Sequence, residues 1–331
     1  MGTEGGPTTE PHGAVPASAA TEVGDTAPWV WCGARRLPVD RADASVPPAT
    51  LEPLPDLGTA VQAACAEPIG APRLRELARG VRSVVVTVPD ASRPCPNEPV
   101  LLALLEELAA GVPDAAVTLA VGCGLHATTD AEGREQLVGP AVTRRVEVVD
   151  AQGIESGTVD LGETTLGAPV RIVRRLAQAD LAVTVGVVEP HLYAGFSGGV
   201  KGVAIGCAGR ETIAWTHRPA FISRPGVTVA RLRGNPFQAT LREIAARTPL
   251  AWAVNLVTAG GAAAAVRAGD PAVVQAVLAR DAAPKWVRRC ARRYDVVVAG
   301  VPAPKSDNLY QASRAARSEE RRVGKECGYQ C

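Results

Sequence analysis

From about residue 80 onward, short apolar runs alternate with helical stretches, and most runs end in a turn rich in glycine or proline. Residues 83–88 (SVVVTV) read as a strand buried on both faces and closed by Pro89-Asp90. Asn97 stands where it can cap a helix running through Leu101, Leu102, Leu104 and Leu105 towards Gly111. Residues 116–121 form a second expected strand that runs straight into Gly122-Cys-Gly-Leu-His126. Shorter strands are expected at 146–149 and 170–173, and a longer one at 181–188, just before Glu189-Pro-His191. A helix over 237–248, opened by Asn235-Pro236, precedes a strand at 251–257. Three strands thus deliver their C-terminal ends onto Asp90 and Arg93, His126 and His191. In open α/β sheets that edge is where ligands bind.

The flanks differ. Residues 1–28 are rich in Gly, Pro, Thr, Ala and Glu without apolar periodicity, so a disordered tail is expected there. A first α/β domain is expected over 29–264. Helices at about 271–281 and 284–293, followed by a strand at 295–299, imply the start of a second α/β domain over 265–316. Residues 317–331 resemble the translation of a sequencing-library adapter, so they read as a non-native tail and the second domain as truncated. A genuine charged tail is the other reading of that segment.

Composition narrows the class. Hydrophobic residues make up 47% and charged residues 21%, with a formal charge of +1, which gives no electrostatic reason to expect nucleic acid or an anionic membrane. Aromatics at 4% are too few for a base-stacking platform. The eight cysteines are scattered with no CxxC pair, as expected of reduced thiols in a cytoplasmic enzyme. No basic region followed by an apolar core opens the chain. The most apolar stretch, 250–266, is interrupted by Asn255, Thr258 and a Gly-Gly pair, and suits strand, turn and next element better than a membrane span.

Histidine is used sparingly. His12 lies in the tail, whereas His191 precedes Lys201 by ten residues and His217 follows it by sixteen. The loop Gly195-Phe-Ser197-Gly198-Gly199-Val-Lys201-Gly202 fails as a nucleotide-binding P-loop. That motif needs glycine at 200 and a hydroxyl at 202, where this chain has Val200 and Gly202. Its amides remain able to cradle a phosphate, and a structural turn with an exposed lysine is the plainer alternative. His126 alone reads equally as a packed histidine, a helix cap or a catalytic group. Asp90 and Arg93 read either as a turn salt bridge or as a site in which the guanidinium forks onto a substrate carboxylate.

Five motifs in order, DASRPCP at 90–96, GCGLHATT at 122–129, EPHLYAGFSGGVKG at 189–202, ETIAWTH at 211–217 and PKSDNLYQ at 304–311, resemble the nickel-pincer-nucleotide-dependent lactate racemase family. The resemblance covers roughly 45–316. It implies two α/β domains with the cofactor site in the interdomain cleft, and racemisation or epimerisation of a 2-hydroxy acid, lactate by default. It implies nickel and pyridinium-3,5-bisthiocarboxylic acid mononucleotide as cofactor. Lys201 matches the covalent anchor, and Ser197, Gly198 and Gly199 fall in the cofactor loop. His217 matches the nickel ligand, His126 and His191 the acid/base pair, and Asp90 and Arg93 polar active-site residues. Lys305 matches a second-domain lysine that, with Arg93, binds substrate. Val200 departs from the expected basic residue. Cofactor-making proteins are the implied partners. Two rivals remain open at this point: a non-catalytic carrier of the nickel cofactor, and a three-histidine zinc hydrolase.

Overall fold

The computed structural model describes residues 28–39, 51–151, 157–259, 261–286, 295–302, 306, 309 and 312. Two compact units divide the chain, and the larger spans Pro47–Ala291. Its centre is a six-stranded sheet of β1 (Val84–Pro89), β2 (Val117–Gly122), β3 (Glu147–Asp150), β4 (Leu181–Val187), β5 (Leu250–Ala259) and β6 (Ala262–Gly269). The order across the sheet is β6-β5-β4-β1-β2-β3. Strands β1 to β5 are parallel, and β6 returns antiparallel beside β5. Strand order reverses between β1 and β4, the switch point at which doubly wound sheets open a crevice beyond their C-terminal ends.

The helices of the described residues include α1 (Leu57–Ala66), α2 (Asn97–Leu108), α3 (Arg210–His217), α4 (Pro236–Ala245) and α5 (Pro271–Trp286). Alternation along the strands sorts their side chains into two cores. Val84, Val86 and Val88 join Leu119, Val121 and Val183 in one core, with Val61 of α1 and Leu101, Leu104 and Leu105 of α2. Val85, Ala120 and Ala182 join the other, with Val203, Ile205 and, from α4, Phe237, Leu241 and Ile244. With both faces covered, the strands read as continuous apolar runs. The cap on α4 is as expected, with the Asn235 side chain accepting from the amides of Phe237 at 2.9 Å and Gln238 at 3.4 Å.

Several elements differ from the sequence expectation. Asn97 does not cap α2: Pro96 holds that position, and the Asn97 amide turns aside to donate to the Leu137 carbonyl at 2.9 Å. The strand Pro169–Val173 stays out of the main sheet and pairs antiparallel with Thr158–Glu163. The boundary expected at 264/265 falls inside β6, which pairs antiparallel with β5 from Ala262 onward. Two helices expected from 271 onward are one through Trp286, whose buried ring lies 6.5 Å from Phe196 and anchors the last turn despite Pro284.

In the smaller unit, Trp29–Gly33 pairs antiparallel with Arg35–Pro38 and parallel with Val301–Pro302. Residues 29–38, expected in the first domain, therefore join the second. The strand expected at 295–299 is irregular there, and strand structure begins at Val301. Residues 1–27, 317–331 and Lys305 lie outside the described residues, so the tail expectations and the role of Lys305 do too. Among the described residues no helix is long and apolar enough to cross a membrane.

Candidate active site

Asp90 follows β1, His126 follows β2, and Glu189 and His191 follow β4. Because β2 and β4 are the two neighbours of β1, both histidines emerge on either side of Asp90. Adjacent strands lie ~4.8 Å apart, so the two flanking strands are separated by roughly 10 Å, room for a small acid.

Asp90 is almost fully used. Its Oδ1 accepts from the Ser92 amide at 3.1 Å and the Ser92 hydroxyl at 2.6 Å, while Oδ2 lies 2.5 Å from Nδ1 of His126. Burial alone would raise its pKa, but the bonds from His126 and Ser92 outweigh that and hold the carboxyl below the usual range. The His126 side chain is half exposed and faces outward from this anchor. Arg93 Nη1 sits 3.1 Å from Glu189 Oε1, a salt bridge that ties the end of β1 to the end of β4 across the switch point. Five guanidinium donors leave it further hydrogen-bonding capacity towards a carboxylate.

The loop carrying Lys201 is clamped from below. Ser197 is buried, its hydroxyl donating to the Val187 carbonyl at 2.7 Å and accepting from the Glu189 amide at 3.0 Å. That hydroxyl, read from the motif as part of the cofactor loop, is engaged in holding the loop to β4. The Gly199 amide donates to Asn255 Oδ1 of β5 at 2.6 Å. From α5, Gln275 Nε2 donates to the carbonyls of Phe196, Ser197 and Gly198 at 3.2, 3.0 and 3.3 Å. Lys201 then leads into a π-helical turn, Gly202–Gly206, packed on the sheet. A Cβ on Gly202 would lie 2.4 Å from Thr184 Oγ1, so only glycine lets the chain rest on the hydrogen-bonded Thr87–Thr184 pair.

His217, at the end of α3, points Nδ1 at the Ile213 carbonyl, 2.9 Å away. A carbonyl only accepts, so Nδ1 carries the proton and Nε2 keeps its lone pair, the orientation common to metal-ligating histidines. Burial pushes its pKa below the usual imidazole range; the Ile213 bond opposes that shift and the Lys201 charge adds to it. Tyr193 and Phe237 stack edge-on against His217 at 6.0 and 5.4 Å, and the same two rings lie 6.0 and 6.5 Å from His191. An aromatic wall therefore joins the two histidines.

Among the described residues no three His, Cys, Asp or Glu side chains gather as a metal-binding group, so the three-histidine zinc site lacks its ligand set. A metal held at His217 would take most of its ligands from a bound organic group. That requirement, with the glycine cradle and Lys201 in electrostatic range, fits a pincer-type cofactor.

Asn255, Gln275, Tyr193 and Phe237 were not singled out from sequence. Asn255 carried a signal, since an amide inside a strand buried on both faces needs a specific partner. Gln275→Leu is expected to leave the loop carbonyls and Gln238, which donates to Gln275 Oε1 at 2.8 Å, without that partner. The expected cost is about 1–3 kcal/mol. Urea denaturation should show it, with faster hydrogen exchange at 196–201; an unchanged midpoint would refute the clamp.

A doubly wound sheet that brings Asp90, His126, Glu189 and His191 to its switch point is an α/β scaffold of the kind that carries ligand sites there. Residues 35–229 match the lactate racemase N-terminal domain, and the chain belongs to that family. It is 32% identical over 191 residues to the lactate racemase of Lactiplantibacillus plantarum, covering 57% of this chain and 45% of that protein. Its identity to the lactate racemase of Thermoanaerobacterium thermosaccharolyticum is 31% over 198 residues, 60% of this chain and 46% of that protein. The chain thus spans about half the length of the curated relatives it matches. The solved lactate racemase apoprotein of T. thermosaccharolyticum superposes with a TM-score of 0.80 at 25% identity, covering 89% of this chain and 71% of that one. A Thermotoga maritima protein shares the fold alone, with a TM-score of 0.55 at 19% identity over 72% and 61% of the two chains.

Proposed function

We propose that this chain is a cytoplasmic racemase or epimerase of a 2-hydroxy acid, lactate by default, that works with a covalently held nickel-pincer nucleotide. The observation that carries the reading is His217. Burial holds its pKa below the usual imidazole range, its Nδ1 faces a carbonyl, and its ring packs on the aromatic wall it shares with His191, near the Lys201 charge.

In this reading Lys201 carries the nucleotide through a thioamide and His217 Nε2 ligates nickel. The amides of the 195–201 loop, held from beneath by Asn255 and Gln275, offer donors to the nucleotide phosphate. When bound, the nickel pincer supplies a reversible hydride acceptor. The chain's own groups do the rest. Arg93 holds the substrate carboxylate, with Lys305 as the second-domain contributor. A histidine on one side of Asp90 would take the hydroxyl proton of one enantiomer, and a histidine on the other side would serve the opposite face of the substrate. Tyr193 and Phe237 exclude water from this exchange.

The test is co-expression with the cofactor-making enzymes and nickel, followed by intact mass, peptide mapping and metal analysis. An adduct on Lys201 with stoichiometric nickel is expected. His217→Ala should keep the adduct and lose the metal. An unmodified Lys201 with zinc or no metal would overturn the reading.

A further inference from the structure

We propose that Asp150 and Arg134 are positioning residues for His126: together they clamp the main chain of Thr129 and so fix the loop that carries the histidine. The inference rests on the racemase reading of the site, and adds to it two groups that act through the main chain rather than on the substrate.

His126 sits on a loop with no core of its own. Leu125, His126, Ala127 and Thr128 are exposed in succession, so no packed side chain fixes their place. The bond to Asp90 aims the ring once the backbone has been brought within reach. Backbone position has to come from the main chain, which is tied at both ends of the loop. On the near side, the Gly124 amide donates to the Gly206 carbonyl at 3.1 Å, at the end of the π-helical turn that follows Lys201. On the far side stands Thr129.

Thr129 is held by two residues from different elements. Asp150 ends β3, the edge strand beyond β2, and its Oδ2 accepts from the Thr129 amide at 3.1 Å. Arg134 comes from the helix Ala131–Val138; its Nη1 donates to that same Oδ2 at 3.0 Å and to the Thr129 carbonyl. Both polar groups of the Thr129 main chain are therefore engaged by one ion pair. The pair is itself fixed. The Ala151 amide donates to the Val121 carbonyl at 2.9 Å, which holds the end of β3 beside the end of β2. Asp130 caps the helix, its side chain accepting from the Gly133 amide at 2.8 Å.

Stability alone is a poor account of this pair. The Asp150 side chain is only 6% exposed, and its Oδ1 is buried without a hydrogen-bond partner among the described residues. An unsatisfied buried acceptor costs stability, and a buried ion pair often returns no more than apolar side chains would. What the carboxylate does supply is one fixed acceptor for the Thr129 amide and Arg134 together. A histidine that moves a proton must hold its ring within hydrogen-bond reach of the substrate, and a displacement of about 1 Å can cost about 10²-fold in rate. The clamp keeps the backbone under His126 from shifting by that much.

Asp150→Ala and Arg134→Met each release the clamp, the second at a partly exposed side chain outside the hydrophobic cores. In the cofactor-loaded protein each should lose about 10- to 100-fold in kcat, with KM little altered and the Lys201 adduct and nickel retained. In the His126→Ala background neither should lower kcat further, because a positioning residue then has nothing left to position. Hydrogen exchange, read without cofactor, should speed up over 123–130 in both variants and stay unchanged over 196–201. Full turnover in both variants, or a loss that multiplies with that of His126→Ala, would overturn the proposal. Unchanged exchange over 123–130 would overturn it too, whatever the activity. Faster exchange there in a chain that, loaded with nickel and the nucleotide, turns over no 2-hydroxy acid would refute the racemase reading and leave the clamp intact.

Discussion

Alanine in place of His126 is expected to lower kcat of the cofactor-loaded protein about 10²- to 10⁴-fold, with the Lys201 adduct and bound nickel retained. The reason is local. His126 lies on the turn after β2, bonded through its ring to Asp90, and nothing in the core depends on its half-exposed side chain. Its loss removes the proton acceptor without disturbing the loop that holds Lys201, which is anchored instead by Asn255, Gln275 and Ser197. His191→Ala is expected to cost a comparable factor, about 10²- to 10⁴-fold, because it removes the acid/base group of the other face. Both variants should keep the cofactor. Steady-state rates in both directions, run beside intact mass and nickel content, check this. Full turnover in both variants would remove the two histidines from the mechanism.

Much of this site was legible in the sequence for a physical reason. A parallel strand buried on both faces has to be an apolar run, so 83–88, 116–121 and 181–188 announced themselves within a residue of β1, β2 and β4. The polar residues that interrupt the apolar pattern where such runs stop are the ones the sheet delivers to its C-terminal edge. Asp90, His126 and His191 were found that way. Residues that act from a distance along the chain were not. Gln275 sits on a helix some seventy-five residues beyond the loop it clamps, and its helical neighbours give no hint of it. The pairing of Trp29–Gly33 with Val301–Pro302 joins segments near opposite ends of the chain and leaves no local pattern in either.

Gly195→Ala should be among the most disruptive single-atom changes available in this site, because the added methyl has nowhere to go. Gly195 adopts φ +80°, and a Cβ there would lie 2.1 Å from the Arg231 carbonyl oxygen and 2.5 Å from its carbon, backbone atoms that cannot rotate away. That oxygen also accepts from Asn235 Nδ2 at 3.0 Å, and the same amide donates to the carbonyls of Tyr193 and Thr228 at 2.8 and 3.0 Å. Pushing it aside disturbs the residue that caps α4 and the turn that positions His191. A left-handed conformation costs an L-residue roughly 1–2 kcal/mol, and overpacking adds about 1–3 kcal/mol, so about 2–5 kcal/mol is expected. For a unit of this size that corresponds to a fall in Tm of roughly 4–20 °C. Gly80→Ala separates the two contributions: its φ is +78° but no atom lies within 4 Å of the added Cβ, so only the conformational cost of roughly 1–2 kcal/mol applies. Thermal unfolding of both variants against the parent chain decides the matter. Equal losses would mean that the backbone around Arg231 yields easily, and that the close packing of the His191 turn is not what holds that ring in place.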